Sequence, residues 1–316
     1  MKEKPTLTYQ LPTQSCWTHT WSKPPFRYAD SEHASSNHFH NQIKRSGAKG
    51  SKELLRWLAT RESFTWQVDI QQEYESRINT PIGLPKNRPN ADMDDWQVWF
   101  VGHATVLIQI GPFNFLTDPV WCEYASPLQG RGVGPAGIAL EQLPTIHGVL
   151  LSHNHYDHMD LATLHWLHQK FAMPIYTGLG NRYYLSKDFH VIEMDWWQMI
   201  PFHDEVTIAY TPAQHGSGRG LRDQNKALWG GFSLITQKGH CFFAGDTAYS
   251  PHFKEIHERF GDARIALLPI GAYEPRQLMH YVHMNPQDAL HAHLDLQAHR
   301  SMAIHYRTFQ LTDESR

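Results

Sequence analysis

Leu150-Leu-Ser-His-Asn-His-Tyr-Asp-His-Met-Asp160 places His153, His155, Asp157 and His158 within six residues, directly after the apolar run Val149-Leu150-Leu151. Three imidazoles and a carboxylate held this close repel one another when charged and gain little from burial. A divalent cation turns that crowding into bonding, because neutral imidazole nitrogen and carboxylate oxygen are its usual ligands. Side chains alternate along an extended segment, which points His153 and His155 to one side. The turn that follows brings Asp157 and His158 round to a second position nearby. Four ligands on one short loop suit two adjacent cations better than one. Histidine by itself is not the signal, since the chain holds 23 of them. The spacing is, together with the partners downstream.

Those partners share a location as well as a chemistry. Val206-Thr-Ile-Ala-Tyr-Thr-Pro reads as a strand, with His215 in the short loop after it. His240-Cys-Phe-Phe-Ala-Gly reads as another and delivers Asp246, with Gly245 permitting a close backbone approach. Ser301-Met-Ala-Ile is a third, ending in His305. Each candidate ligand thus lies just past the C-terminal end of an apolar strand, the edge where layered α/β proteins gather functional groups. Trp96-Gln-Val-Trp-Phe-Val and Val106-Leu-Ile-Gln-Ile are early sheet strands around Gly102-His103, and Leu161–Phe171 is an amphipathic helix. Periodicity alone supports a mixed α/β class.

Several segments together resemble the metallo-β-lactamase superfamily, and within it the N-acyl-phosphatidylethanolamine-hydrolysing phospholipase D branch with its bacterial relatives. They are Phe-Val-Gly-His-Ala-Thr-Val (100–106), Phe-Leu-Thr-Asp-Pro (115–119), Leu-Ser-His-Asn-His-Tyr-Asp-His (151–158), Thr-Pro-Ala-Gln-His (211–215), Phe-Phe-Ala-Gly-Asp-Thr (242–247), Pro-Ile-Gly-Ala-Tyr-Glu-Pro-Arg (269–276) and Ser-Met-Ala-Ile-His (301–305). The 269–276 segment and Asp195-Trp-Trp197 narrow the likeness to that branch, while Val282 and Met284-Asn285 depart from its pattern.

The resemblance implies an αββα sandwich with two Zn2+ per chain, iron or manganese being the alternatives. One ion falls to His153, His155 and His215 and the other to Asp157, His158 and His305, with Asp246 bridging. Asp157 and Asp246 are the carboxylates of the catalytic centre, and Tyr156 and His283 fall where the branch contacts a phospholipid head group. Asp118 and His103 are expected to support the ligands from behind. The implied reaction is hydrolysis of an N-acyl-phosphatidylethanolamine-like phosphodiester by a metal-bridging hydroxide. A lactonase or sugar-phosphate lactone hydrolase is the alternative on the same fold, and a non-catalytic metal-binding scaffold the remote one.

Length, charge and cysteines narrow the setting. A chain of 316 residues buries one large core and carries an extension. A formal net charge of −3 argues against nucleic acid as partner and leaves a small molecule or phospholipid. Cys16, Cys122 and Cys241 are far apart and form no paired-thiol motif, so they are expected to be reduced, in the cytoplasm. No apolar run is long enough to cross a bilayer, which leaves open peripheral contact with the inner membrane face, and a homodimer.

The chain divides near Asp95 into an extension, 1–95, and a catalytic domain, 96–316. Residues 1–50 read as an extended arm. A helix starts near Ser51 with Leu54, Leu55 and Leu58 as its apolar stripe, and Pro81 to Pro89 reads as a proline-broken linker. Gly130-Arg-Gly-Val-Gly-Pro-Ala-Gly137 reads as a lid or an irregular connection. Arg276 is expected in a structural salt bridge, and Trp196-Trp197 in packing.

Overall fold

The computed structural model describes residues 31, 34–35, 38–43, 56–57, 59–60, 83–126, 132 and 134–314. A small hairpin of β1 (Ala34–Ser35) and β2 (His38–Phe39) precedes the main body. Six strands then build one sheet in sequence order: β3 (Trp96–Gly102), β4 (Thr105–Ile110), β5 (Phe113–Thr117), β6 (Gly148–Leu151), β7 (Ile175–Gly178) and β8 (Val191–Met194). Six more build the second, again in sequence order: β9 (Met199–His203), β10 (Val206–Thr211), β11 (Gly231–Thr236), β12 (Gly239–Phe243), β13 (Ala263–Pro269) and β14 (Ser301–Ile304). Each sheet begins as an antiparallel meander and ends in parallel strands reached by crossovers. Among the described residues, the α-helices that accompany the two sheets are α1 (Leu161–Phe171), α2 (His252–Phe260), α3 (Arg276–Met279) and α4 (Pro286–Asp295).

Alternation decides the layering. In the first sheet Val106, Ile108, Ile110, Phe115, Leu150 and Tyr176 face the core between the sheets. Their neighbours Leu107, Leu116, Val149, Leu151 and Ile175 face the opposite way, onto Leu164 and Leu167 of α1. The second sheet mirrors this. Ile208, Tyr210, Phe232, Leu234, Phe243 and Leu267 point inward, while Phe242, Ala266 and Leu268 point out to Phe253 and Ile256 of α2 and Ala289 and Ala292 of α4. A strand buried on both faces reads as a continuous apolar run, which is why Val149-Leu150-Leu151 stands out. The result is the αββα sandwich. Phe39, at 1% exposure, joins the central core from outside both sheets, a burial that stabilises by about 2 kcal/mol.

Chain chemistry explains the helix ends near the site. Asp160 caps α1 by accepting from the amides of Ala162 and Thr163, and its second oxygen accepts from Trp121 and Cys122. That one carboxylate ties the connection after β5 to the start of α1. Asn285 caps α4 in a reciprocal box with Asp288, with Pro286 in the first helical turn.

Three expectations need comment. Cys122, expected to be reduced, is in a disulfide whose other half lies outside the described residues, whereas Cys241 is a buried free thiol. Separation along the chain carries no information about separation in space. The helix expected from Ser51 is helical at Arg56–Trp57 and Ala59–Thr60, while Leu54, Leu55 and Leu58 lie outside the described residues. Of the glycine-rich loop, Gly132 bridges Phe309 and Gly137 donates to the Val101 carbonyl at 2.7 Å, so its described parts are tied down. No helix among the described residues is long and apolar enough to cross a membrane.

Candidate metal centre

The loops leaving β6, β10, β12 and β14 converge at one edge of the sandwich. From β6 come His153, His155, Asp157 and His158; from β10, His215; from β12, Asp246; from β14, His305. Convergence needs backbones to pass unusually close. Gly245 has φ +60°, and a Cβ there would lie 2.7 Å from the Ser152 Cβ and 2.9 Å from the Gly230 carbonyl oxygen, so glycine is required beside Asp246. Behind His305, a Cβ on Gly271 would fall 2.0 Å from the His305 carbonyl oxygen.

Two trios of donor atoms result. His155 Nδ1 lies 2.8 Å from His153 Nε2 and 3.2 Å from His215 Nε2. In the other trio, Asp157 Oδ2 lies 3.4 Å from His158 Nε2 and 3.5 Å from His305 Nε2. Asp246 stands between them. Its Oδ2 is 3.2 Å from both His158 Nε2 and His305 Nε2, and 3.6 Å from His215 Nε2. The seven expected ligand residues thus lie together at this edge, with His103 beside Asp157, His158 and His305, Asp118 beside His153 and His158, and His283 beside His215 and Asp246.

Residues behind the trios fix their orientation. Asp118 Oδ2 accepts from His158 Nδ1 and from Ser152 Oγ, both at 2.6 Å, while Oδ1 accepts from the Ser152 amide at 2.7 Å. His158 therefore turns Nε2 to the centre. His103 Nε2 lies 2.9 Å from Asp157 Oδ2, and the Val282 carbonyl accepts from His215 Nδ1 at 2.9 Å. Backbone strain gathers here as well: His103, Asp118 and His305 have φ of +54°, +29° and +58°, left-handed values that non-glycine residues resist.

The electrostatics of the bare side chains are those of a cation site. Burial, aided by neighbouring imidazoles, holds His153 well below the usual histidine range and His155 down to about 3. His215 and His283 are lowered by burial too. For His305 burial pulls downward, but the Asp246 and Asp157 carboxylates outweigh it and push it up to about 9; His158 is raised well above its usual range for the same reason, with Asp118 contributing. Asp157 and Asp246 are correspondingly held well below the carboxylate range, against the effect of their own burial, by His158 and its neighbours. Protons on two imidazoles supply the positive charge that the carboxylates demand.

The donor set fits a metal. Asp246 Oδ1 is buried without a hydrogen-bond partner, and His158 Nε2 and His305 Nε2, which form no well-aligned hydrogen bond, face only carboxylate oxygens; a cation would complete all three. His283, expected at the substrate, holds Nδ1 3.9 Å from Asp246 Oδ2, and that nitrogen is also unpartnered. The Tyr156 hydroxyl donates to the Arg219 carbonyl at 3.0 Å, and its ring packs on the Arg219 guanidinium at 3.9 Å. Arg276 pairs with Asp288 and donates to the His283 carbonyl at 2.8 Å, the structural role expected. Trp196 packs in the core and donates to the Trp229 carbonyl, while Trp197 lies under Arg259.

Sequence reasoning missed Arg219 and Asn154. Arg219 Nη1 donates to the carbonyls of Asn154 and Met159, each at 3.0 Å, and so clamps both ends of the histidine-rich turn. The Asn154 side chain accepts from the Gly218 amide at 2.7 Å and closes the clamp from the other side. A lone arginine amid Gly216-Ser-Gly-Arg-Gly220 was the one available signal.

Known proteins share the sequence pattern and the fold. A family model described as a beta-lactamase superfamily domain matches residues 113–306. A Mycobacterium tuberculosis protein of uncharacterized role is 34% identical over 257 residues, 78% of this chain and 68% of its own length. N-acyl-phosphatidylethanolamine-hydrolyzing phospholipase D 1 of Caenorhabditis elegans is 34% identical over 227 residues, 67% of this chain and 64% of that protein. Among solved structures, a metallo hydrolase from Ignicoccus hospitalis shares the fold with a TM-score of 0.52 at 22% identity, over 67% of this chain and 82% of that one.

Proposed function

This chain belongs to the metallo-β-lactamase superfamily of metal-dependent hydrolases, and from that premise we propose a dinuclear zinc phosphodiesterase of phospholipase D type, acting on N-acyl-phosphatidylethanolamine-like lipids. The observation that carries the dinuclear reading is the place of Asp246 Oδ2, within 3.6 Å of nitrogens from both trios. The preference for a phosphodiester is supported by the 34% identity to the worm enzyme.

His153, His155 and His215 would hold one ion and Asp157, His158 and His305 the other, with Asp246 shared. When bound, such a pair supplies Lewis acidity toward the phosphoryl oxygens and acidifies water. The chain's own part is positional and electrostatic. Asp118 keeps the His158 proton on Nδ1, leaving Nε2 as the donor. His103 steadies the Asp157 carboxylate, and its own pKa, lowered to about 4 by burial and by His305, keeps it neutral while doing so. His283, with a free nitrogen beside Asp246, and Tyr156, held rigidly on Arg219, are the groups set to meet the head group. Rigid placement of such groups lowers the ordering cost of the reacting geometry.

The test is turnover of a lipid extract by the zinc-loaded protein, followed by mass spectrometry, beside a panel of lactones. Phosphatidic acid should accumulate as N-acyl-phosphatidylethanolamines disappear, and Asp246→Asn or His215→Ala should abolish it. A sample carrying two zinc ions per chain that leaves those lipids intact sinks the substrate assignment, and lactone turnover in that sample would replace it.

A further inference from the structure

Residues 38–43 lie across the loop that carries His215, although they are far from it in sequence. The contact is a reciprocal exchange of side-chain amides for backbone. Asn41 Nδ2 donates to the His215 carbonyl at 2.7 Å, and Asn41 Oδ1 accepts from the His215 amide at 3.0 Å and from Trp229 Nε1 at 3.2 Å. In return Gln214 Nε2 donates to the Ile43 carbonyl at 2.9 Å, and Gln214 Oε1 accepts from the Ile43 amide at 3.4 Å. The Asn41 amide cannot be turned over, because two N–H groups face its oxygen and a carbonyl faces its nitrogen. Phe39 anchors the segment, with its ring in the central core and its amide donating to the Asn225 carbonyl at 2.8 Å.

The consequence concerns His215. Its ring is held from one side by the Val282 carbonyl on Nδ1, which aims Nε2 at Asp246 and His155. Its backbone has no partner in a neighbouring strand, since β10 ends at Thr211. Asn41 takes both of its backbone polar groups, as a paired strand would. We infer that Asn41 is a positioning residue of the metal centre: the strap at 38–43 completes the frame that presents His215. The strap lies outside residues 113–306, so the matched family domain does not itself contain this support. The inference rests on the metal-centre reading proposed above.

Positioning must be reciprocal. If the strap orders His215 for a cation, the cation must in turn hold the strap, by the same factor. Two measurements follow. The first is zinc affinity of the folded, full-length protein by competition with a chromophoric chelator. Asn41→Ala should bind one of its two ions, the one assigned to His153, His155 and His215, about 10- to 100-fold less tightly than the unsubstituted protein, the range seen when support behind a ligand is lost. Ile256→Val, which loosens the core under α2 away from the centre, should bind zinc as the unsubstituted protein does. The second uses the unsubstituted protein and so survives a failure of Asn41→Ala to fold. Amide hydrogen exchange at Phe39 and Ile43 should slow on zinc loading relative to amides of α2, which lies away from the centre. Asn41→Ala with unchanged zinc affinity overturns the inference, as do strap amides indifferent to zinc. An unsubstituted protein that takes up no zinc would instead refute the metal-centre reading and carry this inference down with it.

Discussion

Replacing Asp118 by asparagine tests the centre through a residue that touches no candidate substrate position. The carboxylate makes three short bonds: Oδ1 to the Ser152 amide at 2.7 Å, and Oδ2 to Ser152 Oγ and His158 Nδ1 at 2.6 Å each. Asparagine can keep its oxygen toward the Ser152 amide, which places its NH2 opposite His158 Nδ1. Two N–H groups cannot face each other there. The histidine must move its proton to Nε2, the atom 3.2 Å from Asp246 Oδ2 that would otherwise donate to a cation. Losing an orienting partner of this kind weakens metal binding about 10- to 100-fold, or about 1.4 to 2.7 kcal/mol. The assay is chelator competition on the metal-free protein, resolving both binding steps. One step should weaken by that factor while the step assigned to His153, His155 and His215 stays within about threefold, because that trio shares no partner with Asp118 other than Ser152. Ser152→Ala is the counterpart: it keeps the pairing of His158 with Asp118 but removes the Ser152 Oγ contacts with Asp118 and with His153 Nδ1, so any weakening should fall on the step assigned to His153, His155 and His215. Equal affinities in Asp118→Asn and the unsubstituted protein, at both steps, would refute the orientation argument.

Other consequences are checked by simple measurements. Because His305 in the metal-free protein titrates at about 9, zinc entering at pH 7 must displace its proton; calorimetry in buffers of different ionisation enthalpy should show net proton release, and none would contradict the assignment. His240, buried under Gly261 and Ser233, has its pKa lowered to about 4 by burial, so only the unfolded chain protonates it between about 6.5 and 4. The unfolded state then binds more protons, so metal-free stability drops by up to about 3 kcal/mol as the pH is lowered from about 6.5 to about 4; His240→Gln should remove that pH dependence from urea titrations. Gly245→Ala must push a Cβ to 2.7 Å from Ser152 while holding φ near +60°, and should destabilise by about 2 to 4 kcal/mol in denaturant titration and release Asp246 from the centre.

The legible parts of this protein are those in which sequence order and spatial order coincide. Val149-Leu150-Leu151 shows as an apolar run because β6 is covered on both faces, and the ligands show because four of them share one loop. Asp118 and Arg276 could be given supporting roles from type and position alone, and the structure places them so. What stayed hidden has a common physical character. Asn41, Gln214 and Arg219 act through backbone carbonyls and amides of distant segments, and such bonds impose no periodicity and no preferred neighbour on the residue that makes them. The disulfide of Cys122 is hidden for the same reason.

Strain at the centre is the extreme case. At His103, Asp118 and His305 the side chain's own preference opposes the positive φ adopted, so local propensity points away from the native conformation. Each such residue costs on the order of 1–3 kcal/mol and persists only if surrounding contacts over-determine it. Those contacts are present: the His103 amide donates to Thr308 Oγ1 at 2.8 Å, the His305 amide donates to the His103 carbonyl at 2.8 Å, and the Asp118 amide donates to the Leu150 carbonyl at 3.0 Å. Two of the strained residues therefore hold each other, across the same edge at which their side chains meet Asp157. A frame that spends stability to keep a histidine, a carboxylate and a second histidine in unfavourable backbone states is one in which their side-chain directions are fixed before any cation arrives. Relieving the strain with glycine at His305 would remove the imidazole as well, so asparagine, which tolerates a left-handed φ, is the informative replacement. His305→Asn should bind zinc more weakly and, below about pH 6.5, should also lower metal-free stability, because it removes the protonated imidazole that faces Asp157 and Asp246. That loss should shrink as the pH rises through about 9, where the parent ring gives up its proton, leaving a denaturant midpoint close to the parent's because asparagine tolerates the left-handed φ. A loss that persists undiminished above that pH would mean that the packing of the His305 ring, not its charge, holds the frame.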